Sequence, residues 1–304
     1  MKYFFQNLLK TIPVLFLISL IVFLLVRVTG DPVSLMLPET ATDAERESLR
    51  AALGFNDPLY VQYLHYIKDA ISGDFGNSLR YHTDALGIIF ERLPATLELA
   101  VASMIVAILI AVPLGILSAM KRNTVLDLFI TGGAVLGKAM PSFWLGIMLI
   151  LILSVVFQIF PVSGRGTFLH LVLPSITLGT GIAAEMTRLI RSSMLEILGQ
   201  DFVRTARSKG LKEAVVVNIH AFRNALIPVV TIMALQTSTL IGGTLITETV
   251  FAWPGMGQLL VQAVNLRDMA VVQAATFLIA IFVILSNLIA DLLYRLLDPR
   301  IKYN

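Results

Sequence analysis

A run that could cradle a phosphate, Gly132-Gly133-Ala134-Val135-Leu136-Gly137-Lys138-Ala139, fits G-x-x-x-x-G-K and then departs from it, because Ala139 stands where a Ser or Thr hydroxyl would reach Mg²⁺. No strand is expected before it and an apolar run follows. A glycine-rich helix face is therefore expected, with Lys138 snorkelling to an interface, and the chain itself is expected to bind no ATP. His65, His82, His170 and His220 are scattered without a His-x-x-x-His or His-Glu-x-x-His pair, so no metal site is expected. There is no cysteine for thiol chemistry and no Gly-x-Ser-x-Gly elbow. The remaining chemistry lies in charges within apolar runs, which are costly and tend to face a bundle interior or water. Glu185 and Asp291 are the deepest, while Glu98, Glu248 and Arg27 fall near run ends, where a charge needs no special reason. Glu185 and Arg188 could neutralise each other at i, i+3 spacing or border an aqueous path; Glu185, Arg188 and Glu248 are the candidates for such a path.

The elements that must position these charges are membrane spans. Of 304 residues 57% are hydrophobic and only 14% charged, and the mean hydropathy is +0.83, which excludes an ordinary soluble domain. A net charge of +3 reports topology rather than nucleic-acid binding, because Lys and Arg cluster between apolar runs. Six runs reach the roughly 20 residues that a bilayer core requires: Leu8–Val28, Thr96–Ala119, Leu136–Phe157, Leu169–Ile190, Leu226–Ile246 and Val271–Leu293. Lys121, Arg122, the basic residues from Arg188 to Arg223, and those of both termini fall on one side, against Arg165 and Arg267 on the other. The positive-inside rule makes the first side cytoplasmic. The expected fold is all-α and polytopic, with six transmembrane helices and both termini cytoplasmic. The divisions are a first span at 1–30, an external polar segment at 31–93 and a five-span core at 94–304. The N-terminal run is too long for a cleaved signal and is expected to be retained.

In the external segment, Thr42 and Glu45 read as a capping box, and Asp57 before Pro58 reads as an N-cap. Two short helices are expected, Asp43–Leu53 and Pro58–Ser72, ending at Gly54 and Gly73. The segment reads either as a solvated lid or as a docking surface for an external partner. On the cytoplasmic side, Met194, Leu195, Leu198, Phe202 and Ala206 continue a helix from Ser192 to Lys209. Gly210 stops it, and a second helix is expected from Leu211 to Asn224. Ala206 and Gly210, one turn apart, would leave a surface almost free of side chain into which another protein's groove could close. The alternative is that Gly210 only caps the helix.

The run Asp201-Phe202-Val203-Arg204-Thr205-Ala206-Arg207-Ser208-Lys209-Gly210, continuing to His220-Ala221-Phe222-Arg223-Asn224-Ala225-Leu226-Ile227-Pro228, resembles the cytoplasmic coupling loop of binding-protein-dependent ABC importer permeases, in the dipeptide, oligopeptide, glutathione and nickel branch. Leu53-Gly54-Phe55-Asn56-Asp57-Pro58-Leu59, Met140-Pro141-Ser142-Phe143-Trp144 and Phe251-Ala252-Trp253-Pro254-Gly255-Met256-Gly257 are similar to that branch too. One departure is that Arg204-Thr205-Ala206 replaces the Glu-Ala-Ala of the general importer loop.

The resemblance implies a type I importer permease fold in the bacterial cytoplasmic (inner) membrane, with the coupling loop at 192–224. Asp201, Arg204, Thr205, Ala206, Lys209, Gly210 and Leu211 would meet an ATPase. It further implies a heterodimer with a second, similar permease, two ABC ATPase subunits that carry the ATP and Mg²⁺, and an external or periplasmic solute-binding protein. No nucleic acid is involved. The expected cargo is a di- or oligopeptide, with nickel, a metal chelate or glutathione as alternatives, and the chain is expected to be no enzyme. A secondary transporter driven by an ion gradient is the alternative of another class, and it would want paired mid-membrane carboxylates and inverted repeats.

Overall fold

The computed structural model of the protein describes residues 2–29, 33, 37, 40–52 and 54–297, without the side chains of 2–10, 25–29, 227, 241, 291 and 293–297. The readings of Arg27 and Asp291 therefore fall outside the described side chains. The described residues form helices: α1 (Lys2–Thr29), α2 (Asp43–Ala52), α3 (Leu59–Ser72), α4 (Ala85–Met120), α5 (Val125–Ala139), α6 (Ser142–Leu149), α7 (Phe168–Leu198), α8 (Asp201–Ser208), α9 (Glu213–Val215), α10 (Phe222–Val250), α11 (Met256–Asn265) and α12 (Met269–Leu297). Two π-helical stretches extend the series, Ile150–Val156 after α6 and Val216–Ala221 between α9 and α10.

Among the described residues three helices, α4, α7 and α12, are long and apolar enough to cross a membrane, and two bent pairs raise the number to as many as five. α1 adds an apolar stretch, Thr11–Leu24. One bent pair corrects an expectation. The third apolar run does not begin at Leu136 as a straight span; it is Val125–Ala139 joined to Ser142–Val156 at 104°. Pro141 explains the bend, since it lacks an N–H and disfavours helix in the residue before it. Met140 accordingly adopts an extended backbone, φ −70° and ψ 127°.

The chain divides into two units, with boundaries inside α4, between Trp253 and Pro254, and inside α12. The unit of Met1–Ala95 and Pro254–Ile284 centres on Phe75, Ala85 and Ile89 packed with Met256, Leu259, Val271 and Ala275. Within it, α2 starts as expected: Thr42 N–H donates to Glu45 Oε2 at 2.8 Å, and Glu45 N–H donates to Thr42 Oγ1 at 3.3 Å. The start of α3 differs, because Pro58 itself occupies the N-cap position and no side chain caps the helix. Gly73 ends α3 in the left-handed region, as expected.

In the unit of Thr96–Trp253 and Leu285–Asn304, α4 and α7 pack through small residues, with Ala107 and Ala111 against Ile182, Met186 and Ile190, and Val217, Ala221 and Val229 complete the core. At Gly179 a Cβ would lie 2.8 Å from the Ser103 carbonyl oxygen, so only glycine lets the two backbones approach.

Candidate functional site

The coupling segment opens where α7 ends. Gln200 has an extended backbone, ψ 153°, so the helix expected without interruption from Ser192 to Lys209 is broken at Gly199-Gln200 and α8 starts anew. Val203 and Ala206 point inward and are buried against Val216, flanked by Ile197 and Leu198. This corrects the expected surface of Ala206 and Gly210: Ala206 is only 7% exposed and belongs to the buried face. α8 stops at Ser208, so the one-turn relation does not extend to Gly210, which sits beyond the C-cap at φ +75° with nothing within 4 Å of where a Cβ would be. Asp201, Phe202, Arg204, Thr205, Lys209, Gly210 and Leu211 are exposed, as are Arg207 and Ser208.

Two contacts hold the segment. Arg207 donates to Glu213 through Nε at 3.1 Å and an Nη at 2.7 Å, closing the turn between α8 and α9. That hydrogen-bonded carboxylate raises the Arg207 guanidinium above its ordinary range. Arg204 lies 3.7 Å from Asp201, an exposed i, i+3 pair. The helix expected over Leu211–Asn224 is instead α9, the π-helical turn at Val216–Ala221 and the start of α10.

The second neighbourhood is a groove of about 710 Å³ bordered by Thr131, Lys138, Glu185, Arg188, Arg191 and Ile232. Glu185 does not pair with Arg188. Its Oε2 accepts from Lys138 Nζ at 2.8 Å and from Gln236 Nε2 at 3.1 Å, tying together α5, α7 and α10. Lys138, expected to snorkel, is held here because the bend at Pro141 ends α5 beside α7. Arg188 is exposed on the groove. Glu248 is not on the groove: it is fully buried and accepts from Thr96 Oγ1 at 2.7 Å. The G-x-x-x-x-G-K run is helical throughout, inside α5, with no strand among the described residues before it.

Sequence reasoning missed Asp127. This residue, 4% exposed, accepts from Arg191 Nε and Nη2, both at 2.7 Å, from the Ser118 hydroxyl and from the Asn123 N–H at 2.9 Å. It thereby ties the turn after α4 to α7, ten residues ahead of α8. The available signal was Thr124, whose hydroxyl caps α5 by accepting from the Asp127 N–H at 3.4 Å. Also missed was Arg165, which donates twice to Glu98, at 2.9 and 2.6 Å, and lies 5.8 Å from the Trp253 ring.

The family model described as "Binding-protein-dependent transport system inner membrane component" matches residues 111–303, and the one for the N-terminal part of such components matches residues 1–100. The oligopeptide transport system permease protein AppB of Bacillus subtilis strain 168 is 42% identical over 313 residues, covering 99% of each chain. The dipeptide transport system permease protein DppB of Escherichia coli K12 is 40% identical over 336 residues, covering 100% of this chain and 99% of its own. The glutathione transport system permease protein GsiC of the same strain is 42% identical over 304 residues, at the same coverage. Among solved structures, an inward-facing form of the MetNI methionine ABC transporter aligns with a TM-score of 0.56 at 20% identity, over 69% of this chain and 96% of that one. An amino acid ABC transporter structure with histidines aligns at 0.54 and 14%, over 69% and 94%. These two likenesses speak to the fold alone.

Proposed function

The chain belongs to the family of binding-protein-dependent transport system inner membrane components, and from that membership we propose how its parts divide the work of import. It is a multi-pass inner-membrane permease subunit of an ABC importer. Our reading gives it six spans, taking α1 as the first and each bent pair as one, with both termini cytoplasmic. A second, similar permease completes the pathway, a solute-binding protein delivers cargo from outside, and two ATPase subunits hold the ATP and Mg²⁺. The exposed face of α8, with Asp201, Phe202, Arg204 and Thr205, and the turn that follows it, with Lys209, Gly210 and Leu211, dock in the ATPase cleft. Hydrolysis in those partners shifts the spans between inward and outward access. Glu185 and Arg188 border the cytoplasmic half of the path.

The cargo is a di- or oligopeptide. Full-length likeness to an oligopeptide and a dipeptide permease at 42% and 40% identity carries this reading. Glutathione is the second reading, favoured by the equally close GsiC. The decisive experiment reconstitutes the chain with its partner subunits and measures ATP-dependent uptake of a labelled dipeptide, in competition with unlabelled glutathione and with Ni²⁺, and separately the uptake of labelled glutathione. Dipeptide uptake that neither competitor lowers supports the peptide reading, and uptake of glutathione alone replaces it. In the same assay Glu185→Gln should lower uptake severalfold at unchanged protein level. Unchanged uptake would remove Glu185 from the path.

A further inference from the structure

α3 has three faces. One is packed: Gln62 donates to the carbonyls of Phe55 and Asp57 at 3.0 and 2.6 Å, and the Tyr63 hydroxyl bonds Ser19 Oγ at 2.8 Å. A second is polar and exposed, with His65, Lys68, Asp69 and Ser72. The third is apolar and uncovered: Tyr60, Leu64 and Ile71 are 69, 62 and 80% exposed, and with Ile67 they recur at i, i+4, i+7 and i+11.

The level of this helix is set by what its packed face touches. The Tyr63 ring meets Phe16 and Phe23 of α1 edge-on, at 5.8 and 5.2 Å between centroids, and Tyr66 lies 5.8 Å from Phe23. Both phenylalanines belong to the apolar stretch Thr11–Leu24. Counted along a helix from Lys10, Phe16 and Phe23 lie roughly 9 and 20 Å into a hydrocarbon layer about 30 Å thick. α1 is itself apolar and uncovered at that level, with Phe16 54%, Leu17 55% and Leu24 43% exposed. A helix with one apolar and one charged long edge turns the first to lipid and the second to water.

We propose that the Tyr60–Leu64–Ile71 face of α3 rests against lipid acyl chains, so that this part of the external segment is seated in the bilayer rather than spread over it as a solvated lid. The absence of cysteine makes the test direct. Single substitutions Tyr60→Cys, Leu64→Cys and Ile71→Cys, and on the polar face His65→Cys, Lys68→Cys and Ser72→Cys, are made in the full chain, assembled with its partners in lipid vesicles and spin-labelled. Collision is measured with molecular oxygen, enriched in hydrocarbon, and with chromium oxalate, confined to water. Oxygen should dominate at the first three positions and chromium oxalate at the other three. Equal chromium oxalate access on both faces overturns the proposal in favour of a lid, and shielding of the apolar face from both reagents overturns it in favour of a protein partner. Should the labelled variants fail to assemble, Leu64→Trp read in vesicles of dibrominated phosphatidylcholine is the second test: a loss of its fluorescence beyond that of Trp144 and Trp253 is expected, and no added loss overturns the proposal.

Discussion

A carboxylate that accepts from a forked guanidinium, a hydroxyl and a backbone N–H at once, as Asp127 does, loses both its charge and one of its two accepting oxygens when it becomes an amide. Asp127→Asn should therefore destabilise the chain by about 3 kcal/mol, since one member of a buried pair is lost; a thermal melt of the purified complex checks this. Lys138–Glu185, with side chains 57 and 36% exposed, is a pair worth at most about 1 kcal/mol, so Glu185→Gln should barely move the same melt. At the start of α2, the Thr42 N–H and then its hydroxyl hold the Glu45 carboxyl below its ordinary range. A carboxyl lowered in the folded state stabilises above its unfolded value and loses that stabilisation as pH falls through the folded one. Protection of the α2 amides, relative to their intrinsic exchange rate at each pH, should accordingly fall in the acid range, and Glu45→Ala should flatten the dependence; a profile identical in both proteins would reject the capping role. The sequence displayed Thr42-x-x-Glu45 because cap and partner are neighbours. The partners of Asp127 and Glu185 lie far along the chain at Arg191 and Lys138, where spacing rules do not reach.

At the scale of elements, α8 is short and held mainly by Val203 and Ala206, so what its other face meets decides its use. Gly210 sits at φ +75°, where a β-branched side chain is strained and asparagine is tolerated. Gly210→Asn should keep most uptake, whereas Gly210→Trp should abolish it with the subunit still in the membrane. Full uptake by the Trp variant would remove this turn from the ATPase contact. The break before α8 was illegible because the apolar positions keep their i+4 spacing across it, and periodicity does not register one extended residue, Gln200. The bend before α6 was written in the sequence as Pro141, but a run of apolar residues on both sides masked it.

For the whole molecule, composition sufficed to make the membrane class legible, since 57% hydrophobic residues leave too little polar surface to face water. Orientation came from where Lys and Arg gather, and it predicts reporter behaviour. A fluorescent protein fused after Asn304 should fold and glow, and alkaline phosphatase fused after Gly76 should be active; the reverse pattern would invert the chain. α7 begins outside at the Thr167–His170 cap in this orientation and ends at Leu198, two residues before Gln200. From Ser175 to Leu198 it contains no proline, roughly 36 Å of stiff rod. Swinging such a rod by about 10° carries its far tip through roughly 6 Å, given its length at 1.5 Å per residue. In the orientation proposed above, a tug on its cytosolic end would be delivered as leverage near the opposite mouth, past Glu185 and Arg188.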